Sequence, residues 1–479
     1  MKYDVIIIGA GVCGCAAAMA LSRYKLNIAV LEKGEDVCTC SSKANSAIVH
    51  AGFDAAPGTN KAAFNVAGSR MMPTLCETLH VPYRRCGSLV LGFGEEDRSA
   101  LEALKRRGEE NGVEGLRLVE AEELHAMEPR LSDAAGPALF APTGAIVCPF
   151  ELTAAKAENA ALNGVEFHFD CAVDDIEAVQ GIWRIRCGES VWEAACVVNA
   201  AGLGAAAIHN MVSAKKYRIV PRRGEYILLD KKSGGLVSRT VFQLPSAMGK
   251  GTLVTPTVHG NILAGPTAED IDDPTDTATT AEGLAKLRAA AGRSVPSLPF
   301  KSAITAFAGL RAHLEGANDF VLGFAAEGFL DLLGIESPGL SASPAIGRWA
   351  AEQCAAFLGA AEKDDYKSGR TAPVRIGELS LEERAALIEQ DSAYAQIICR
   401  CEGVTEGEIR DAIRRTPGAR SLDGVKRRTR SGMGRCQGGF CAARVMEILA
   451  RELGADPLKL TKSGGESLLL SAALWEDET

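Results

Sequence analysis

The sequence has no excess of basic residues. Among its 479 residues, 52 Lys and Arg stand against 61 Asp and Glu, and the formal net charge is -9 at pH 7. Binding to nucleic acid depends on clustered positive charge that neutralises phosphates. The composition therefore excludes nucleic acid as a general partner, and any anion that the protein binds must be held by a few local side chains.

The sequence also lacks a long uninterrupted apolar run. A membrane-spanning helix needs about 20 consecutive apolar residues, whereas the apolar stretch at 5–21 is broken by Gly9, Gly11 and Gly14. Residues 1–4 leave no room for the basic segment that begins a secretory signal. We therefore expect a cytoplasmic protein without a transmembrane segment, with any membrane association made through a partner.

A disulfide framework is not expected either. Fifteen cysteines would indicate one in a small secreted protein, but this chain is long enough for about three domains of roughly 150 residues. A free cysteine is most often a small core residue. We assign nine cysteines to that role: Cys13, Cys15, Cys76, Cys86, Cys148, Cys171, Cys187, Cys196 and Cys354.

The first 32 residues carry the clearest pattern that is present. Residues 3–8 form a β-branched run that predicts a buried parallel strand, and residues 9–14 form a glycine turn. An alanine-rich helix, a second strand at 27–31 and an acidic residue, Glu32, follow. This order predicts a dinucleotide-binding unit, whereas the glycine turn alone would suit many α/β proteins.

Each glycine of such a turn has a physical role. Gly9 permits the tight turn, Gly11 lets the backbone approach a pyrophosphate, and Gly14 lets the helix pack closely on the strand. The helix N-terminus favours the anion. Glu32 can accept hydrogen bonds from the ribose hydroxyls. The pattern does not by itself distinguish FAD from NAD.

Three later segments favour FAD. Residues 32–34 with 41–52 resemble the flavin-contacting stretch of the FAD-dependent oxidoreductases grouped with D-amino-acid oxidase. Residues 197–202 resemble their second strand-turn motif, and residues 334–341 resemble their C-terminal flavin-closing segment. The resemblance covers residues 1 to about 360. It implies an α/β fold with a Rossmann-like FAD-binding domain and an inserted β-rich substrate domain.

The same resemblance implies which residues contact FAD. They come from the glycine turn, the end of the second strand, the flavin-contacting stretch and the two later motifs. The predicted set is Gly9, Gly11, Gly14, Glu32, Lys33, Ser42, Lys43, Asn45, Ser46, Val173, Ala201, Gly202, Gly334, Gly339, Leu340 and Ser341. Cys38 and Cys40 depart from the small residues expected there. They are either partly buried small hydrophobes or a local redox pair.

Within this group, the segments 50–52, 223–226 and 265–268 most resemble the catalytic subunits of anaerobic glycerol-3-phosphate dehydrogenases and the L-2-hydroxyglutarate oxidases. These relatives oxidise a secondary alcohol beside an anionic group, so a small anionic substrate is implied. His50 is the candidate base, because an alcohol must lose its hydroxyl proton. Alternatively, His50 only hydrogen-bonds flavin or backbone.

Arg311 is the preferred anion clamp, since a guanidinium can make two parallel bonds to a phosphate or carboxylate. A surface arginine is the alternative. Arg223 and Tyr226 are further candidates for the same pocket.

A second redox centre is predicted near the C-terminus. Cys399 and Cys401 form one close pair, and Cys436 and Cys441 form another. Four thiolates are what a [2Fe-2S] cluster requires, whereas zinc sites more usually use C-x2-C or C-x4-C at both ends. A capping box at 405–408 and a helix at 442–453 would place both pairs near helix N-termini.

This segment resembles the bacterioferritin-associated-ferredoxin-like domain, which implies a small helical [2Fe-2S]-binding domain. A cluster favours a dehydrogenase that passes electrons to a partner redox subunit, an acceptor protein or a quinone. The basic run at 426–428 with Arg430 is either a solvated face or a docking surface.

The predicted organisation is a flavoprotein unit at 1–362, a linker at 363–395, a cluster domain at 396–455 and a tail at 456–479. Three functions stay open. The first is oxidation of sn-glycerol 3-phosphate to dihydroxyacetone phosphate. The second is oxidation of another small anion, such as L-2-hydroxyglutarate, another 2-hydroxy acid, or an amino acid or amine. The third is a non-catalytic electron-transfer or redox-sensing subunit.

Overall fold

The computed structural model describes residues 1–245 and 251–472. Its helices are α1 (Val12–Leu21), α2 (Asn60–Thr78), α3 (Arg98–Glu110), α4 (Ala121–Met127), α5 (Pro149–Leu162), α6 (Ala205–Val212), α7 (Ala281–Ser294), α8 (Gly339–Leu358), α9 (Leu381–Gln390), α10 (Glu406–Arg414), α11 (Leu422–Thr429) and α12 (Ala442–Leu453).

Its strands are β1 (Lys2–Ile8), β2 (Ile28–Leu31), β3 (Ile48–Val49), β4 (Tyr83–Arg85), β5 (Ser88–Leu91), β6 (Arg117–Val119), β7 (Ala138–Ala141), β8 (Ala145–Val147), β9 (Glu166–His168), β10 (Asp175–Val179), β11 (Ile182–Cys187), β12 (Ser190–Asn199), β13 (Ile219–Leu229), β14 (Thr240–Gln243), β15 (Leu253–Pro256), β16 (Ile262–Gly265), β17 (Glu269–Asp270), β18 (Ala303–Leu314), β19 (Val321–Ala326), β20 (Phe329–Leu333), β21 (Ile397–Cys399) and β22 (Val404–Thr405).

The first sheet builds the FAD-binding lobe. Its strand order is β10-β11-β12-β1-β2-β9, and β20 pairs with β12 and β19. Strand β1 is parallel to both β12 and β2, and its four residues 5–8 are buried. Helix α1 packs against α5 and α8, where a Cβ on Gly347 would lie 2.5 Å from the backbone of Ala16. Small residues therefore allow the close helix packing that the alanine-rich segment predicts.

The second sheet forms the β-rich lobe. Its order is β17-β13-β16-β15-β14-β5-β7-β6, and β18 pairs with β13 from Ile219↔Leu314 to Leu229↔Ala303. This long antiparallel ladder presents alternate side chains to opposite faces. The predicted fold class, a Rossmann-like FAD-binding domain with a β-rich substrate domain and a small helical C-terminal domain, is confirmed.

The C-terminal unit combines the β21–β22 hairpin with α10, α11 and α12 around a core that includes Cys399, Ile409, Val425 and Leu449. The predicted capping box is present, because the Thr405 hydroxyl accepts from the Glu408 N–H and the Glu408 carboxylate accepts from the Thr405 N–H. Helix α12 has the bounds that the sequence indicates. None of the helices among the described residues is both long and apolar enough to cross a bilayer.

The segment that joins the two units runs along the FAD-binding lobe. Arg370 pairs with Glu158 at 2.6 Å, and Arg375 pairs with Glu151. The Asn159 side chain donates to the backbone carbonyls of Lys367 and Gly369. The proposed boundaries of linker and tail stay predictions. Residues 456–472 contain a short turn and a bridge between Thr461 and Leu468, and the remainder of the predicted tail lies outside the described residues.

The basic run at 426–428 lies against the FAD-binding lobe rather than in solvent. The side chains of Arg427 and Arg428 are buried and donate to the carboxylate of buried Asp36 at 2.6–2.9 Å. Arg427 and Ser421 also contact Glu35. Burial alone would raise the pKa of Asp36, but the two guanidinium groups outweigh it and hold the pKa below its ordinary value. These ion pairs dock the C-terminal unit.

We expect Asp36→Asn to lower the free energy of unfolding by about 3–5 kcal/mol, because it leaves two buried guanidinium groups without their counter-charge. Urea unfolding at pH 7 measures the change. Asp364→Asn is the matched control, since Asp364 pairs with Lys25 on the exposed surface. The contribution of Asp36 is present above its unfolded pKa and is lost as pH falls through the lower folded pKa. Equal effects of the two variants would contradict the prediction.

Candidate functional site

A cavity of about 980 Å³ lies between the two lobes. The glycine turn, the 41–50 segment, residues 309–313 of β18 and the 335–340 segment line it. Parallel strands of a Rossmann-like sheet direct their carboxyl ends toward such a crevice. Two of the three segments that resemble flavin-contacting motifs, 41–52 and 334–341, therefore line one cavity, and Ala200 and Gly202 of the third also reach it.

The glycine turn has the geometry that a dinucleotide needs. Gly9 has φ +103°, and a Cβ there would lie 2.6 Å from the carbonyl oxygen of Ala200. A Cβ on Gly14 would lie 1.9 Å from the carbonyl oxygen of Gly9. A Cβ on Gly11 would meet only the hydroxyl of Ser42, at 3.3 Å, and Gly11 lines the cavity. The turn thus exposes bare backbone at the start of α1, which fits a pyrophosphate.

Glu32 lies at the end of β2 and is buried. Its carboxylate accepts from the N–H of Ala10 at 2.6 Å and from the N–H of Gly34 at 2.8 Å. Burial raises its pKa, although these backbone donors oppose the shift. The carboxylate is thereby held beside the turn, where the predicted ribose contact requires it. The ribose contact itself stays a prediction.

The predicted FAD contacts fall into three groups by position, and their assignment to FAD stays a prediction. Those that line the cavity are Gly11, Ser42, Asn45, Ser46, Gly202, Gly339 and Leu340. Those in the surrounding backbone and core are Gly9, Gly14, Glu32, Val173, Ala201, Gly334 and Ser341. The structure does not place Lys33 or Lys43 among the lining residues, and Lys33 is exposed.

Three of the four nominated catalytic residues meet in this cavity, namely His50, Tyr226 and Arg311. The backbone N–H of His50 donates to the Ser341 hydroxyl at 2.8 Å, and its Nε2 faces the Ser337 hydroxyl at 3.5 Å. Both serines belong to the segment that resembles the flavin-closing motif. His50 is therefore positioned by that segment and faces the cavity.

Arg311 and Tyr226 form a cationic part of the cavity lining. Nη2 of Arg311 donates to the carbonyl of Thr267 at 3.1 Å. Tyr226 stacks on Phe307 with ring centroids 4.9 Å apart. Burial raises the pKa of Tyr226, and the neighbouring Arg311 only partly opposes this shift. The phenol is thus a neutral hydrogen-bond donor beside a cation.

The nomination of Arg223 is not supported by its position. Its guanidinium pairs with Glu269 at 2.7 Å and Asp276 at 2.8 Å, and it does not line the cavity. Its neighbour Arg222 does, with Asp270 as partner. Successive strand residues face opposite sides, so Arg222 shares a face with Tyr226. The alternation places Arg222 and Arg223 on opposite faces, and the pairing of β13 with its neighbours decides which face meets the cavity.

Sequence reasoning also missed a buried ion pair at the cavity wall. Nζ of Lys61 lies 2.8 Å from the Glu336 carboxylate and 3.0 Å from the Asn318 side chain. The ring of His313 also contacts Glu336, at 3.3 Å. Lys61, His313 and Glu336 all line the cavity. Their positions in sequence are up to 275 residues apart, so no local pattern could have revealed the group.

The four predicted cluster cysteines come together. Sγ of Cys401 lies 3.7 Å from Sγ of Cys436, and Cys399 and Cys441 are buried together in the core of the C-terminal unit. Backbone N–H groups, led by that of Phe440, lower the pKa of Cys436. A Cβ on Gly434 would lie 2.2 Å from Cβ of Cys401. Four converging thiols with backbone donors fit a cluster of negative charge.

The remaining cysteine question concerns positions 38 and 40. Cys38 is buried, and burial raises the pKa of its thiol to about 11. That position suits a small core residue. Cys40 is exposed.

Comparisons with known proteins agree with this geometry. The sequence model of the FAD dependent oxidoreductase family matches residues 4–353, and that of the BFD-like [2Fe-2S] binding domain matches residues 397–451. A protein named glycerol 3-phosphate dehydrogenase, from Caloramator mitchellensis, is 49% identical over 98% of each chain. Glycerol 3-phosphate oxidase of Mycoplasma pneumoniae is 31% identical over 72% of this chain and 92% of its own length.

A solved structure agrees as well. The L-alpha-glycerophosphate oxidase of Mycoplasma pneumoniae, with FAD bound, superposes with a TM-score of 0.74 at 29% identity, over 78% of this chain and all of that one. The residues of both sites fit their groups, so Gly11 and its neighbours are the candidates for holding FAD and the four cysteines are the candidates for the cluster. The chain belongs to the FAD-dependent oxidoreductase family, carries a C-terminal BFD-like domain, and has FAD and a [2Fe-2S] cluster as its cofactors.

Proposed function

We propose that the protein is a dehydrogenase that oxidises sn-glycerol 3-phosphate to dihydroxyacetone phosphate. The observation that carries the proposal is the position of His50 and Arg311 in the same cavity as the flavin-side segments. Oxidation of an alcohol needs a base for its proton, and a phosphate needs a cationic clamp. The name and near-complete coverage of the Caloramator relative support the same substrate.

Each of the cavity residues has a separate role in the proposed reaction. Arg311 donates to the phosphate with a fork of N–H groups, and Arg222 adds positive charge on the same wall. Nε2 of His50 accepts the proton of the C2 hydroxyl. Tyr226 stays protonated because of its burial and donates a hydrogen bond beside Arg311. Bound FAD would supply a two-electron hydride acceptor, and the cluster would supply a one-electron relay.

The cluster supports a dehydrogenase rather than an oxidase. An enzyme that passes electrons only to oxygen has no need of an iron–sulfur relay, whereas a one-electron acceptor does. Oxidation of one substrate molecule releases two electrons and two protons, so two one-electron transfers follow each turnover. We propose a partner redox protein as the acceptor.

A second candidate substrate is L-2-hydroxyglutarate. Two arginines, Arg222 and Arg311, line the cavity, and this substrate carries two carboxylates that such a pair can bind. The L-2-hydroxyglutarate dehydrogenase of Escherichia coli K12 is 29% identical over 56% of this chain. The lower identity and coverage favour glycerol 3-phosphate.

An anaerobic absorption spectrum tests the proposal. We expect glycerol 3-phosphate to bleach the flavin band of the holoprotein and to reduce the visible absorption of the cluster, while L-2-hydroxyglutarate in a parallel cuvette changes neither. Bleaching by L-2-hydroxyglutarate alone would select the second candidate. If neither substrate reduces the flavin but a reduced protein carrier does, the chain is an electron-transfer subunit.

A further inference from the structure

The loop that carries two of the cluster cysteines also carries an unusually exposed aromatic side chain. Phe440 lies between Cys436 and Cys441 and is 87% exposed. Ile397, two residues before Cys399, is 61% exposed. Exposing a large apolar side chain forgoes the free energy of its burial. A single exposed apolar residue is ordinary on a protein surface, so the case for a contact rests on the place of Phe440 in the cluster loop.

The same face exposes the redox centre. Cys401 is exposed and Cys436 is half-buried, whereas Cys399 and Cys441 are buried. The edge defined by Cys401 and Cys436 is therefore the side from which an electron can leave with the shortest path to a partner. Phe440 is in the same loop, four residues after Cys436 and directly before Cys441. A partner that covers Phe440 is brought against this edge.

Cations line the rim of this face. Around the cysteines, five cationic side chains stand with three carboxylates: Arg400, Arg430, Arg435, Arg444 and Lys231 with Glu402, Glu447 and Asp230. Glu402 is buried and shared by Lys231 and Arg430. Among the ion pairs of the described residues, none involves Arg400. A bound cluster would carry negative charge of its own at the centre of the face. The complementarity therefore comes from the cations at the rim, and these favour a partner with acidic side chains around its own contact.

A lipid surface fits the face less well. Insertion into a bilayer interface requires a helix with an unoccupied apolar face. The apolar side chains of the adjacent helix α12, Val445, Ile448 and Leu449, are buried in the core of the domain. The few cations at the rim would attract an anionic membrane only weakly. A protein with a matching acidic rim can use both the charge and the single aromatic anchor.

We propose that Phe440, with Arg400 and the neighbouring arginines, forms the docking surface for a small acidic one-electron carrier protein. This inference rests on the proposed function, because only an electron relay needs such an exit. Each docking event moves one electron from the reduced cluster to the oxidised carrier, so two events complete one turnover. A small, partly polar contact with one aromatic anchor is typical of transient electron-transfer complexes.

The test uses the holoprotein and an acidic plant-type ferredoxin as the probe, with no organic substrate present. Surface plasmon resonance gives the dissociation constant, and stopped-flow mixing with reduced ferredoxin gives the rate of electron entry into the cluster. We expect Phe440→Ala to weaken binding and slow electron entry at least tenfold. Arg400→Glu should act similarly, and binding should weaken as salt rises.

Matched variants isolate the effect. Leu381→Ala removes an equally exposed apolar side chain, 81% exposed, in the connecting segment, and Arg106→Gln removes an exposed cation on α3. Both should leave binding within twofold. Phe440→Leu should retain most of the affinity, and the absorption spectrum of the cluster checks that each variant is loaded.

Three results would overturn the proposal. The first is no ferredoxin binding at 1 mM, and the second is binding by Phe440→Ala within twofold of the parent. The third is loss of binding to vesicles of anionic phosphatidylglycerol in Phe440→Ala while ferredoxin binding is unchanged, which would assign the face to a membrane. Because no glycerol 3-phosphate is added, failure of the proposed substrate leaves this test intact.

Discussion

Replacement of His50 by Ala is expected to slow reduction of the flavin by glycerol 3-phosphate by a factor of about 10²–10⁴, the usual contribution of a positioned general base. The ring faces the cavity, and its backbone and Nε2 are held by Ser341 and Ser337 of one segment. Without the imidazole, the C2 hydroxyl has no positioned group to accept its proton while hydride leaves. Anaerobic stopped-flow absorbance of the flavin band measures the rate directly.

The pH dependence of the flavin reduction rate distinguishes a catalytic base at His50 from a structural role of His50. The parent should show a rate that rises through a single ionisation, and that ionisation should vanish in His50→Ala together with most of the rate. His313→Ala is the matched control, because His313 lines the same cavity but is held by Glu336. We expect a much smaller loss from it. An amine substrate needs no strong base, so unchanged reduction in His50→Ala would support amine oxidation and contradict the proposal.

The parts of the molecule that were predictable are those encoded by neighbouring residues. The glycine turn, the capping box at 405–408 and helix α12 each depend on a few adjacent positions, and each is present as the sequence indicates. The turn is recognisable because no other residue fits: a Cβ at Gly14 would overlap the carbonyl oxygen of Gly9. Such steric constraints require glycine at fixed positions, and the sequence shows these glycines directly.

The parts that were missed depend on packing between distant segments. Arg222 and Arg223 are the same residue type at adjacent positions. Only the pairing of β13 with β18 and β17 decides which one faces the cavity. The ion pair of Lys61 with Glu336 joins helix α2 to the loop before α8. The docking of Arg427 and Arg428 on Asp36 spans about 390 residues. Their partners could not be read from charge patterning alone.

Arg311→Ala is expected to lower kcat/KM for glycerol 3-phosphate by about 10²–10³, since loss of one partner of a desolvated charge pair costs roughly 2–5 kcal/mol. Arg311 lies on β18 opposite Arg222, and its guanidinium is tied to the carbonyl of Thr267. That bond leaves the other N–H groups of the fork for the phosphate. Arg311→Lys should recover only part of the loss, because a lysine cannot make two parallel bonds.

A comparison of two substrates distinguishes binding of the phosphate by Arg311 from a structural role of Arg311. Glycerol lacks the phosphate, so its slow oxidation should be the same in the parent and in Arg311→Ala. Arg222→Ala should cost less than Arg311→Ala, because Asp270 already shares the charge of Arg222 at 2.6 Å. An equal loss with glycerol and glycerol 3-phosphate would mean that Arg311 supports the cavity wall rather than binding the anion. A loss confined to glycerol 3-phosphate identifies the phosphate as the group that this end of the cavity binds.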